Sequence, residues 1–213
     1  DKLGLGFDRK EAKISGRKWF PYNKGGDFKK WYGNRVFSVD WRDDGINIKR
    51  DKKKKFEKGE ITRNNSKCWN QSMYFKESLT WSSMSTGPIS VRYSPKGALF
   101  DTKGPVIQSD GGDLYHALGY LNSACANHFL SLLAPSLDFN PGALKKTPYL
   151  EVGDISSKVK SLTQEALRSA RRDWDSREVS WDFSQHPLVQ RNASSLEDAY
   201  KVWTEEATDD FLQ

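Results

Sequence analysis

The spacing of apolar residues changes character once along this chain, and that change limits the folds open to it. Up to Gln108 the apolar positions fall in short strand-like runs. These are Val36–Trp41 (VFSVDW), Ile89–Ser94 (ISVRYS), Ala98–Asp101 (ALFD) and Pro105–Gln108 (PVIQ). Turn formers such as Pro95-Lys96-Gly97 and Lys103-Gly104 separate them. Successive strand side chains point to opposite faces, so the alternating runs predict a sheet with a buried face. The run Ile46–Lys49 follows Arg42-Asp43-Asp44-Gly45, a spacing that predicts a hairpin partner for residues 36–41.

From Asp113 the period becomes helical. Leu114, Ala117, Leu118, Leu121, Cys125, Phe129 and Leu132 predict one long helix, capped by Asp113 and ended by Pro135. A second stripe, Ile155, Val159, Leu162 and Ala166, follows a capping Asp154. A third follows a capping box of Ser194 and Glu197 and contains Leu196, Ala199, Tyr200, Trp203, Ala207 and Phe211. Trp174, Trp181 and Phe183 fall in a charged stretch between these stripes and are expected to pin it to the body. The expected fold is α/β (α+β): a mixed twisted sheet with a long packed helix over residues 19–150. A linker tail (1–18) precedes it and a helical spacer (151–213) follows. Only 36% of residues are hydrophobic, so the aromatics, at 13% of the chain, must supply much of the core volume.

Charge is distributed unevenly. Residues 1–67 hold 20 Lys and Arg against 10 Asp and Glu, whereas residues 68–213 hold 14 against 18. A basic third on a mildly acidic remainder points to a localised anion-binding face. The run Lys52-Lys53-Lys54-Lys55 reads as a flexible loop able to lie along phosphates. Two cysteines, Cys68 and Cys125, make neither a disulfide framework nor a metal spacing. No apolar run approaches the roughly 20 residues of a membrane helix, and no signal-peptide pattern opens the sequence. Opening on Asp1 and ending within a helical pattern, it reads as part of a longer chain.

Catalytic patterns are missing. There is no phosphate loop, and Gly4-Leu5-Gly6 lacks both a third glycine and a preceding strand. Asp8 and Glu11 lie in a polar segment without strands to position a metal, and His116, His128 and His186 form no ligand pair. Adenine-amine methylation uses a tetrapeptide of polar residue, two prolines and an aromatic, which grips the flipped base. The nearest stretch, Asn140-Pro141-Gly142-Ala143, lacks the second proline and the aromatic and reads as a loop.

Several long blocks occur in a fixed order: WFPYNKGGDFKKWYGN (19–34), VDWRDDG (39–45), residues 74–107 and residues 114–144. Together with RRDWDSREVSWDFSQHPL and SLEDAYKVW, they resemble the C-terminal portion of the PglX family. These are adenine-specific DNA methyltransferases of bacterial BREX phage-defence systems. The resemblance spans roughly residues 15–205. It implies a target recognition domain related in plan to those of Type IIG restriction–modification enzymes and Type I specificity subunits. The S-adenosylmethionine site and the catalytic tetrapeptide would then lie upstream, with no cofactor, metal or catalytic residue here. It also implies that a helix ending in Leu121-Asn122-Ser123 packs behind a sheet facing DNA. The chain departs from the family at Asn140-Pro141-Gly142, where relatives place a glycine-led segment.

On that reading Gly25 and Gly26 let the backbone approach DNA closely, and Lys24, Lys29, Lys30 and Arg35 reach phosphates. Asn23, Lys24 and Arg92 are candidate base readers. Ser82, Ser83, Ser85 and Thr86 offer short donors to phosphates. Trp19, Trp31 and Trp81 are assigned to core packing ahead of base stacking. The expected partners are double-stranded DNA, the upstream methyltransferase domain, and other BREX proteins or acidic DNA-mimic inhibitors. The expected location is the bacterial cytoplasm, without membrane contact. Two other readings stay open: a protein–protein module binding an acidic partner of the defence complex, and a single-strand or RNA binder using exposed aromatics.

Overall fold

The structure, a computed structural model, describes residues 2–63, 68–134, 137–149, 153, 155–190 and 193–212. It is an α+β fold in which the strands form two small sheets instead of one mixed sheet. Strands β1 (Trp19–Asn23), β2 (Ser38–Asp40), β3 (Ser78–Trp81), β4 (Val91–Ser94), β5 (Leu99–Phe100) and β6 (Val106–Ile107) assemble in the orders β2-β1-β5 and β4-β3-β6. Of these strand pairs β1–β5 is parallel and β1–β2, β3–β4 and β3–β6 are antiparallel.

The β3–β4 register explains the layering. Leu79 faces Tyr93 and Trp81 faces Val91, whereas Ser78 faces Ser94 and Thr80 faces Arg92. Leu79, Trp81 and Val91 are fully buried in one cluster with Ile89, Leu118, Leu121, Leu130, Phe139 and Leu144. The polar set therefore faces the other way. Trp81 also donates its indole N–H to the Phe139 carbonyl at 2.7 Å, which places it in the core as its sequence context indicates. Trp19 and Trp31 are half-buried. A second cluster joins Phe20, Trp41, Tyr74, Phe75 and Leu99. Its rings meet edge to face, with Phe20–Phe75 centroids 5.4 Å apart and Trp41–Tyr74 centroids 5.1 Å apart.

Helices α1 (Arg9–Ile14) and α2 (Arg42–Glu57) flank this second cluster. The hairpin expected over residues 46–49 is not formed, because those residues are helical. Asp43, Asp44 and Gly45 do turn the chain, with φ of 48°, 59° and 76°, but the turn leads into α2. Four alternating residues are too short a pattern to separate a strand from one helical turn. The lysine run is likewise helical, supported by Lys55–Asp51 at 3.0 Å and Lys53–Glu57 at 3.8 Å. Arg9 and Lys49 both bind the Asp44 carboxylate, at 2.8 and 3.0 Å, and tie α1 to the start of α2.

Asp113 caps α3 (Leu114–Leu121) by accepting from the Tyr115 amide. The single long helix expected here is two. Asn122 ends α3, and Ser123 caps α4 (Ala124–Leu133) by accepting from the Ala126 amide. Pro135 lies outside the described residues. Asn140 caps α5 (Pro141–Lys146), with Pro141 at its first position, so this stretch starts a helix instead of forming a loop.

Helix α6 (Ser156–Asp175) packs against α3, where a spacer leading away was expected. The contact requires a glycine: a Cβ on Gly119 would lie 2.4 Å from the Thr163 hydroxyl. Thr163 is buried and Leu162 exposed, so the packed face is rotated by one residue from the expected stripe. Asp154 lies outside the described residues. After α7 (Pro187–Gln190), α8 (Leu196–Leu212) is capped by Ser195 with Asp198, one residue along from the expected Ser194–Glu197 box. Of its apolar stripe Ala199 is buried, while Leu196 and Tyr200 are exposed. No helix among the described residues is long and apolar enough to cross a membrane.

Candidate nucleic-acid interface

The segment after β1 crosses the polar face of β3–β4 and then joins its edge. Asn23 is buried and donates its side-chain amide to the Ser94 hydroxyl at 2.8 Å. Gly25 and Gly26 follow with φ of 88° and 143°. A Cβ on Gly25 would come within 2.9 Å of the Lys103 carbonyl, so only glycine allows this approach. The Ser82 hydroxyl donates to the Gly26 carbonyl at 2.8 Å and fixes the turn to the end of β3. Trp31 then pairs with β4, accepting from the Tyr93 amide at 2.7 Å and donating to the Val91 carbonyl at 2.9 Å.

Asn122 completes this join. Its side-chain oxygen accepts from the Val91 amide and its NH2 donates to the Val91 carbonyl, both at 2.9 Å. Its backbone carbonyl accepts from Lys30 Nζ at 3.0 Å. Leu121-Asn122-Ser123 thus ends a helix behind the sheet and bolts helix, sheet edge and the 29–33 segment together. A cation at a helix C-terminus also complements the helix dipole.

Most of the expected phosphate-binding cations are engaged inside the chain. Lys30 is held by Asn122, and the Lys29 ammonium lies 5.7 Å from the Trp174 ring centre. Trp174 is buried. Arg35 donates to the Tyr32 hydroxyl, lies 3.6 Å from Asp182 and sits over Trp181. Trp174 and Trp181 therefore pin the α6 end of the chain to residues 29–35. Phe183 is half-buried. Burial raises the Tyr32 phenol, against the opposing pull of Arg35 and Arg171.

Arg92, expected to read bases, is 1% exposed. Burial pushes its guanidinium down to about 10, so it stays protonated at neutral pH. So enclosed, the guanidinium is closed to solvent in the free chain. The reason is its register: Arg92 lies opposite Thr80 on the covered polar face. Ser83 is also buried, and its hydroxyl has no partner among the described residues. Ser85 accepts from the Gly87 amide at 3.2 Å, and Thr86 is exposed.

What remains open to solvent is a compact set around the Gly25–Gly26 turn. Lys24 is exposed, with its ammonium 5.6 Å from the Phe37 ring centre. Lys103, beside Gly25, reaches Met84 Sδ at 3.3 Å. Phe28, Val36, Phe37 and Met84 are exposed, at 55%, 46%, 43% and 58%. Sequence reasoning missed Lys103, Phe28, Phe37 and Met84. A signal for Lys103 was present, because Asp101 begins an Asx turn whose carboxylate accepts from the Lys103 and Gly104 amides. Phe37 was hidden inside a strand-like pattern.

S-adenosylmethionine does not fit these residues. Asn140, the polar member of the nearest catalytic stretch, uses its side chain to accept from the Ala143 amide at 3.1 Å. Among the described residues the parallel pairings are the short β1–β5 pair and the single Trp31–Arg92 bridge, unlike the layered parallel sheet that holds such cofactors. No cluster of metal-binding side chains occurs among the described residues.

No protein-family profile matches the chain. Two curated proteins do. The adenine-specific methyltransferase PglX of Lacticaseibacillus casei (strain Zhang) is 39% identical over 201 residues, covering 92% of this chain and 16% of that protein. The chain corresponds to a PglX/BREX-type fragment. The adenine-specific methyltransferase BrxX of Escherichia coli O9:H4 (strain HS) is 33% identical over 180 residues, covering 83% of this chain and 14% of that protein. The chain thus spans about one sixth of the length of these relatives. The matches cover nearly all of it, so the turn at Gly25–Gly26, the Asn122 bolt and helix α6 lie within a PglX/BrxX-type segment.

Proposed function

We propose that this chain is a DNA target recognition segment of an adenine-N6 DNA methyltransferase, its recognition body spanning residues 19–150. It binds duplex DNA and selects the site that is methylated, marking self against phage DNA in a BREX-type defence system. S-adenosylmethionine and the catalytic residues belong to another part of the polypeptide, with which this segment packs. The observation that carries the reading is the Gly25–Gly26 turn, at which Gly25 is buried while Lys24 and Gly26 face solvent. It brings the Lys103 backbone beside Gly25 and sets Lys24 against solvent-facing Phe37, with solvent-facing Phe28 two residues after Gly26. Lysines of this kind position phosphates, and exposed apolar rings next to them can wedge between base steps. The same exposed rings favour, as a second reading, an acidic protein partner, including another BREX protein or a DNA-mimic inhibitor.

The test replaces Lys24 and Lys103 together by Ala in the full-length polypeptide and follows duplex affinity across a salt series. Each lost phosphate contact lowers the salt slope by about 0.9, so the double variant should lose roughly 1.8. Methylation of cognate and mismatched sites reads out site choice. An unchanged slope with unchanged affinity moves the acidic-partner reading ahead.

A further inference from the structure

The polar face of β3–β4 holds a charge that the fold leaves poorly matched. Arg92 keeps five N–H donors and its positive charge, and buried charges are ordinarily paired. Here Nη1 lies 3.5 Å from the carbonyls of Lys29 and Ser90, and Nη2 lies 3.4 Å from the Ser82 hydroxyl. Among the described residues Nε has no partner and no carboxylate lies within 4 Å. The contacts that exist are long and go to neutral groups. The nearby Thr80 hydroxyl does not help, because it donates to the Pro105 carbonyl at 3.0 Å.

The cover over this guanidinium is the segment that begins at the glycine turn. Ser82 holds the Gly26 carbonyl, and the Lys29 carbonyl faces Arg92 directly. We propose that Arg92 is the floor of a phosphate-binding site for duplex DNA, closed in the free chain by the Gly25–Gly26 turn. This rests on the DNA-recognition reading above. Lifting the turn frees the Ser82 hydroxyl and the guanidinium together, and a guanidinium matches two phosphate oxygens at once. Lys24 and Lys103 stand at the rim, where they draw the phosphate in. Two glycines at positive φ give the turn the backbone freedom to move. Arg92 would then add a contact that forms only once the duplex has displaced the turn.

The rival role for Arg92 is a bolt that only ties residues 26–29 to β4. Salt dependence separates the two in the full-length polypeptide on a cognate duplex. Arg92→Met should lower the salt slope by about 0.9, the signature of one lost phosphate contact, while Arg92→Lys should keep it. An unchanged slope in Arg92→Met, whatever happens to affinity, overturns the site and leaves the bolt. If Lys24→Ala/Lys103→Ala lowers the slope but Arg92→Met does not, only this inference fails. If neither changes it, the DNA reading fails as well. A structure of the wild-type full-length polypeptide on duplex DNA does not depend on how a variant folds. A phosphate oxygen within hydrogen-bond distance of Arg92 supports the site, and a turn still closed over Arg92 with DNA bound overturns it.

Discussion

Asn122→Ala tests whether one buried amide holds the DNA-facing segment in place. Asn122 is 3% exposed and both of its side-chain bonds go to Val91. After truncation the Val91 carbonyl keeps its bond from the Trp31 amide, but the Val91 N–H loses its Asn122 partner in a site closed to water. An orphaned buried donor costs about 1–3 kcal/mol and the second lost bond about 1, giving roughly 2–4 kcal/mol in all. Local opening of β4 and residues 29–33 should therefore become about 30- to 1,000-fold more frequent. Hydrogen exchange read by mass spectrometry on the full-length polypeptide measures this directly. Peptides covering residues 29–33 and 89–94 should exchange faster, while those around Phe75 and Leu99, in the second cluster, should not. A change below about 0.5 kcal/mol at Val91, too small for an orphaned buried donor, would refute the claim that Asn122 bolts the edge. Uniform acceleration across both clusters would refute its locality.

Gly119→Ala places a Cβ 2.4 Å from the Thr163 hydroxyl, so it should force α3 and α6 apart and lower the melting temperature. Adding Thr163→Ala should recover part of the loss, since the clashing atom is gone; a purely additive double variant would contradict the contact. Acid should loosen the α1–α2 junction. Burial alone raises the Asp44 carboxyl, but hydrogen bonds from Arg9 and Lys49 outweigh it and hold the group below its ordinary 3.8. Its stabilisation is thus complete above that value and is lost as pH falls through the depressed pKa. The stability gap between wild type and Asp44→Asn should shrink as pH falls below about 4; a gap that widens on acidification would reverse the sign.

The local signals in the sequence were faithful where their physics is local. Asp113 caps α3 as its spacing with Leu114 and Ala117 indicates, because a cap needs only a side chain and an amide two residues on. The alternation Val91-Arg92-Tyr93-Ser94 does make a strand, because the period of two is a property of the extended backbone. Leu121-Asn122-Ser123 ends a helix behind a sheet, as the family resemblance implied, whereas the helical period alone ran on through it. Residues 46–49 show where such signals run out, since so short a run obeys both periods and the left-handed turn at Asp43–Gly45 resolves it in favour of a helix.

The sequence by itself therefore determined several of the strands, the helical character of the later part of the chain and that its first third is basic, while α1, α2 and α5 were not legible in it. Only the tertiary structure decided which of those cations face solvent. Lys30 meets Asn122 across 92 positions, Arg35 meets Asp182, and Lys29 meets Trp174. Arg92 is enclosed because a distant glycine turn lies over its face of the sheet. Helical and strand periods arise from bonds between near neighbours, so they are written in adjacent residues. Burial and charge pairing depend on which distant segments pack together, and no local pattern around Lys29, Lys30, Arg35 or Arg92 encodes that partner.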